Sequence, residues 1–253
     1  MLPGRAAALA FLTAFSTLFA QVLVHRVISA KLLNNYAFLV ISLTMLGFAL
    51  SGVILTRWLA RFLEDVEAWV TVCAALFAVT LLGSTAVFNH APVGIQIALG
   101  RPAFLGSLAR WAPLALLFAV TFVFAGLILG GLLSSPRLPV RRIYFFDLVG
   151  SSLGALCVIL AISGMGVEPA LLGVAGVMAG GTAALALPRR RGARLAVAAA
   201  VAVVAVCAMA RGRVFAMRYP ENSLLATASE PNSTVVLEHT AWDPLARIEV
   251  SRI

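Results

Sequence analysis

Arg141-Arg142-Ile143-Tyr144-Phe145-Phe146-Asp147-Leu148-Val149-Gly150-Ser151-Ser152-Leu153-Gly154-Ala155-Leu156 opens an apolar run that continues to Ser163. From Ile143 the run is long enough to cross a bilayer, which takes about 20 apolar residues. Asp147 is the one acidic residue well inside any such run of this chain. On a helix, Asp147, Gly150, Ser151 and Gly154 fall at i, i+3, i+4 and i+7, so the acid and its smallest neighbours share one stripe. Phe145, Phe146, Leu148, Leu156 and Ile159 lie mostly off it. Lipid offers a carboxylate no partner, and small residues let a second helix approach, so the stripe is expected to face other helices. Asp147 lies about 6 Å along the axis from Ile143, nearer the headgroups than the midplane. Two roles stay open for it: a site for a proton, cation or polar substrate, or an acid paired with a basic residue that fixes packing.

Outward from this stretch, composition sets the class. The 253-residue chain is 62% hydrophobic and 11% charged, with a mean hydropathy of +1.02, which excludes an ordinary soluble domain. The net charge of +9 comes almost entirely from arginine, Lys31 being the single lysine. Spread over short loops and without an aromatic-interleaved patch, this charge reads as membrane orientation and contact with anionic headgroups, not nucleic-acid binding.

Seven apolar runs follow one another, from Ala6 to Val24, Tyr36 to Leu55, Trp69 to Phe88, Pro113 to Leu133, Ile143 to Ser163, Pro169 to Leu187 and Leu195 to Ala210. The expected fold is an all-α polytopic membrane bundle of about seven transmembrane helices over residues 1–210, with a linker and a short C-terminal β-hairpin fragment over 211–253. The seventh run, built from Ala and Val, is the shortest; Arg194 and Arg211 at its ends can snorkel to extend it. The first run follows Arg5 like a signal peptide, but no small-x-small cleavage site comes after it, so it reads as a retained helix. Asn89 to Ala112, interrupted by Pro92, Gly94, Gly100, Pro102 and Gly106, reads as an interfacial or re-entrant segment.

Cys73, Cys157 and Cys207 each fall within a span, with no CxxC and no nearby histidine, so neither a disulfide framework nor a metal site is expected. His25, His90 and His239 are scattered. Gly126-x-x-x-Gly130, Gly150-x-x-x-Gly154 and Gly176-x-x-x-Gly180, with Gly47 and Gly52 in the second span, are the expected helix-packing positions. Gly164-Met165-Gly166 ahead of Pro169 reads as a tight turn, and no GxGxxG nucleotide loop is present.

Past Ala210 the chain turns polar. Ser233 to Glu238 and Ala246 to Ile253 read as two strands around a turn at Trp242-Asp243-Pro244. A lone hairpin is marginal in water. The rest of its sheet is therefore expected from another molecule, a second copy included, or from chain beyond Ile253.

Phe15 to Arg26, then Tyr36-Ala37, Gly47 and Gly52, resembles the first two membrane helices of bacterial spermidine synthase-like membrane proteins. Tyr144-Phe145-Phe146-Asp147-Leu148-Val149-Gly150-Ser151-Ser152-Leu153-Gly154 is similar to that family's membrane motif, a Tyr followed by Asp-Leu-x-Gly-x-x-x-Gly, and Trp242 to Val250 resembles the strand that opens its soluble domain. The resemblance implies a bacterial inner-membrane location and a soluble Rossmann-like domain related to aminopropyltransferases, which bind decarboxylated S-adenosylmethionine and a polyamine. None of that domain's nucleotide loop or acidic residues has a counterpart here, so no catalytic residue and no cofactor site carries over. The family has Glu where Gln21 stands and keeps the following arginine as Arg26. With that acid lost, Asp147 is the expected partner of Arg26, in an intramembrane polar site that also takes in Gln21 and Tyr144. Two functions follow as expectations. One is a membrane domain that anchors, and passes a polyamine-like solute to, an aminopropyltransferase-like domain or subunit; the other is a small transporter or channel-like bundle in which Asp147 handles a cation.

Orientation sets two arguments against each other. With seven crossings, the amino terminus and the second, fourth and sixth loops hold ten basic residues, and the first, third and fifth loops with the stretch just after the last span hold seven. The positive-inside rule then puts the amino terminus in the cytoplasm and the tail outside. An aminopropyltransferase needs cytosolic substrates, which would require a cytoplasmic tail, reached if the seventh run lay along the interface.

Overall fold

The computed structural model describes residues 2–32, 37–91, 102–186, 190–216, 236–242 and 247–252. The helices are α1 (Pro3–Leu32), α2 (Ala37–Glu64), α3 (Val66–His90), α4 (Pro102–Leu133), α5 (Val140–Met165), α6 (Val167–Ala186), α7 (Arg191–Met209) and the single turn α8 (Arg211–Val214). Seven of them, α1 to α7, are long and apolar enough to cross a membrane. An all-α bundle is what the sequence predicts, and each of the seven runs lies on its own helix.

The links are short and chemically explicit. Asp65 alone separates α2 from α3, and its carboxylate accepts the Ala68 N–H at 3.1 Å as an N-cap. Gly166 alone separates α5 from α6 and adopts φ 82°, a left-handed conformation open to glycine at little cost. The tight turn expected over Gly164 to Gly166 is narrowed to Gly166, since Gly164 and Met165 are still part of α5. Pro139 precedes α5, where its missing N–H costs no helix bond.

Two parallel helix pairs build the bundle, α1 with α5 and α2 with α4; α3 lies against α4, α6 and α7. Glycines set both parallel seams. A Cβ at Gly150 would come closer than 3.0 Å to the Phe11 carbonyl oxygen, and one at Gly154 would do the same at Phe15. On the other seam, Gly47 meets Ala119 and Phe122, Gly126 meets Ser51, Gly130 meets Leu55 and Gly131 meets the ring of Phe62. Without such glycines the backbones could not approach this closely. The core is apolar, led by Phe77, Phe88, Phe118 and Phe122. Four of its threonines donate to their own helix, Thr13 to Leu9, Thr17 to Thr13, Thr44 to Val40 and Thr85 to Leu81, which satisfies these hydroxyls without a neighbouring helix. The buried hydroxyls of Thr121 and Thr182, in contrast, have no hydrogen-bond partner among the described residues.

Several details differ from the sequence reading, among them the end of α2, which runs to Glu64 instead of Leu55. Helix α1 runs to Leu32, well past Val24, because a helix continues through polar residues wherever its own backbone bonds and tertiary contacts hold it. Part of the Asn89–Ala112 segment, from Pro102 on, is not a separate interfacial piece: it is the first part of α4, continuous through Pro113. Residues 92–101 of that segment lie outside the described residues. In α6, Val177–Gly181 forms a π-helical turn.

In the tail, β1 (Val236–Trp242) pairs antiparallel with β2 (Arg247–Arg252), with a register shift between Leu237 and His239. The first strand continues past Glu238 to Trp242, further than the alternation predicts, and residues 233–235 of the expected strand lie outside the described residues. The turn at residues 243–246 lies outside the described residues.

Candidate functional site

The motif stretch makes the closest helix contact of α5. Gly150 and Gly154 are buried against α1, and Ser151 beside them is half-buried. Tyr144, Phe145, Leu148, Leu156 and Ile159 point outward, Tyr144 with 54% of its surface exposed. Alternation of small buried and large exposed residues makes α5 a peripheral helix with one docking face. Gly176 has only an ordinary contact at 3.8 Å with Val204, and Gly180 has nothing close. The π turn rotates the face there, so Gly181 is the residue that meets α1, at Leu12.

The same seam separates the residues expected to form a polar site. Because Gly150 lies at Phe11 and Gly154 at Phe15, α1 and α5 run in the same direction, and Asp147 is level with Ala8. Arg26 stands 18 residues further along α1, about 27 Å at 1.5 Å per residue. Asp147 and Arg26 therefore belong to opposite ends of the bundle and do not pair. Gln21 is level with Leu160, also far from Asp147. Asp147 is half-buried and has no ion-pair partner among the described residues; Tyr144, one turn before it, faces outward. The sequence could not exclude the pair, because a stripe gives the facing direction of a helix but not the direction of its neighbour.

At the end of the bundle where Arg26 lies, Lys31 carries a role that the charge pattern alone assigned to orientation. Its side chain is 7% exposed, and its ammonium donates to the carbonyls of Phe88, Asn89 and Ala91 at 2.5, 3.1 and 2.5 Å. It also lies 5.0 Å from the Phe88 ring centroid. Three donors meet three carbonyls at the negative end of α3, the arrangement that best offsets unsatisfied helix-end groups. Asn89 in turn donates from its side chain to the Phe215 carbonyl at 3.1 Å. The ends of α1, α3 and α8 are thereby tied together. The signal in the sequence was the uniqueness of Lys31 in an otherwise arginine-only chain.

A third feature is a cleft. Helices α2 and α3 both pack on α4 but touch each other little, so they diverge from Asp65 and leave an apolar slot of about 470 Å³ floored by α4. Ile54, Trp58 and Phe62 of α2, Trp69 of α3, and Val123 and Leu127 of α4 line it. The rings of Phe62 and Trp69, 6.4 Å apart, line it at the end nearest Asp65. Beyond them a polar groove includes Glu64, Asp65, Glu67, Ser135 and Arg137. No sequence pattern announced this cleft, since it arises from how two helices lean on a third.

Metal chemistry finds no cluster of three or more His, Cys, Asp or Glu among the described residues. The three cysteines are free. Compared with known proteins, the chain matches no family model, no curated protein and no solved structure.

Proposed function

We propose that this bundle is the membrane domain of a spermidine synthase-like protein, an anchor that holds a soluble aminopropyltransferase-like domain at the bilayer surface where α7 ends. The observation that carries the reading is the meeting of two stretches on which the resemblance rests. Phe15 belongs to the first and Gly154 to the second, and the backbone of one is the docking surface of the other. A motif whose small residues serve a helix seam is a motif of a scaffold. Thr13, Thr17, Thr44 and Thr85 bond to their own helices, and Asp147 and Arg26 lie at opposite ends, so anchoring is favoured over solute passage or cation transport.

The proposal extends to an anchored domain of that likeness and not to aminopropyl transfer. The donor is cytosolic, whereas the charge balance puts the end of α7 on the other side. The experiment is to read the codons after Ile253, express the full reading frame and treat right-side-out vesicles with protease. A continuing frame with strand, Gly-rich turn and helix, released as a soluble fragment, is the expected result. A stop codon at Ile253, with no soluble aminopropyltransferase-like protein retained by the purified chain, overturns it.

A further inference from the structure

We propose that the cleft between α2 and α3 binds one glycerophospholipid of the leaflet at the C-terminal end of α2, with an acyl chain in the cleft and the phosphate against Arg57 and Arg61. The order of residues along α2 is the order of groups along such a lipid. Leu50, Ile54, Arg57 and Arg61 fall at i, i+4, i+7 and i+11, one stripe, the first two lining the slot and the last two continuing it toward the helix end. Trp58, at 48% exposure, stands between the arginines at the depth where interfacial aromatics settle. Apolar wall, aromatic collar and basic lip thus succeed one another over the last four turns of one helix.

The chemistry of each part fits the occupant. The slot is within the size range of ligand pockets and is almost wholly apolar, so a polar solute would lose its hydration there without compensation. A hydrocarbon chain enclosed on three sides gains dispersion contacts that a flat lipid-facing surface does not offer. Arg57 and Arg61 are exposed, one turn apart on one face, and neither pairs with a carboxylate among the described residues. Two guanidiniums so spaced present forked donors to phosphate oxygens, the geometry in which arginine outperforms lysine. The charge of the lip selects the phosphate-bearing lipid over a neutral one with the same tails.

Tryptophan fluorescence reads the site directly. Of the four tryptophans, Trp111 and Trp242 are replaced by Phe, leaving Trp58 and Trp69 in the full chain. Phosphatidylglycerol with one brominated acyl chain is titrated into the detergent-solubilised protein, because bromine quenches an indole that it touches. The expected result is saturable quenching at one lipid per chain, about tenfold weaker for the diacylglycerol with identical chains and for Arg57→Gln/Arg61→Gln. Ile54→Trp in the unlabelled chain should abolish retention of phospholipid in native mass spectrometry by filling the slot. The proposal is overturned by quenching that rises linearly with lipid and is equal for diacylglycerol, which is bulk contact only. It is equally overturned by a stable dimer whose interface shields Trp58 and Trp69 from both lipids.

Discussion

Gly154 shows how much one missing methyl group decides. Its Cα lies where the Phe15 backbone passes, so any side chain there must push α1 and α5 apart. Gly154→Leu is expected to destabilise the bundle by about 1–3 kcal/mol, the usual cost of overpacking, seen as a lower unfolding midpoint and lower folded yield in detergent. Gly164, with nothing within 4 Å, is the control, and Gly164→Ala should leave both unchanged. Equal behaviour of the two variants would place Gly154 against lipid. The residue-scale reading of the motif was legible because small residues at i, i+3, i+4 and i+7 mean a docking face whichever helix docks. The partner of Asp147 was not legible. Choosing it requires knowing that α1 and α5 are parallel, which only the register of Gly150 on Phe11 and Gly154 on Phe15 supplies.

At the scale of elements, the joints are where the sequence was least informative. Apolarity marks the middle of a span, but helix ends are fixed by capping and tertiary contacts. Lys31 on the carbonyls that end α3 is the main case. Lys31→Met keeps the length of the side chain and removes its donors. It should cost about 1.5–3 kcal/mol, the range for hydrogen bonds to a charged group, and speed hydrogen exchange in the last turn of α3. Unchanged stability and exchange would show that those carbonyls find other partners. Helix α7, the weakest of the seven runs, is the other case. It buries only Ala193 and Ala200, as its Ala and Val composition suggests, yet its two ends are held by different partners. Arg190 pairs with Asp65 at 2.6 Å at the α2–α3 corner, and Arg211 approaches Glu168 at 3.9 Å at the start of α6. Both pairs are at the surface and each contributes little energy, but together they mark opposite ends of the bundle.

For the whole molecule, those two pairs bear on whether the seventh run spans the bundle or lies along one end of it. A seventh helix lying along one interface could not place Arg190 beside Asp65 and Arg211 beside Glu168, whereas a helix of 19 residues, about 28 Å long, spans the distance between those corners. The amino terminus and the corners at Asp65, Pro139 and Arg190 then share one end, and the chain leaves α8 at the other. Lys31, already held by three carbonyls, is no longer a free loop charge, which sharpens the excess of arginine on the first end. The central claim is that the seventh helix crosses the membrane and so separates Arg190 from Arg211. Single cysteines at Gly192 and Gly212, both exposed, in a chain lacking Cys73, Cys157 and Cys207, test it with a membrane-impermeant maleimide added to intact cells. Labelling at Gly212 from outside, and at Gly192 only after lysis, is the predicted result; equal labelling at both sites, or at neither before lysis, would contradict it.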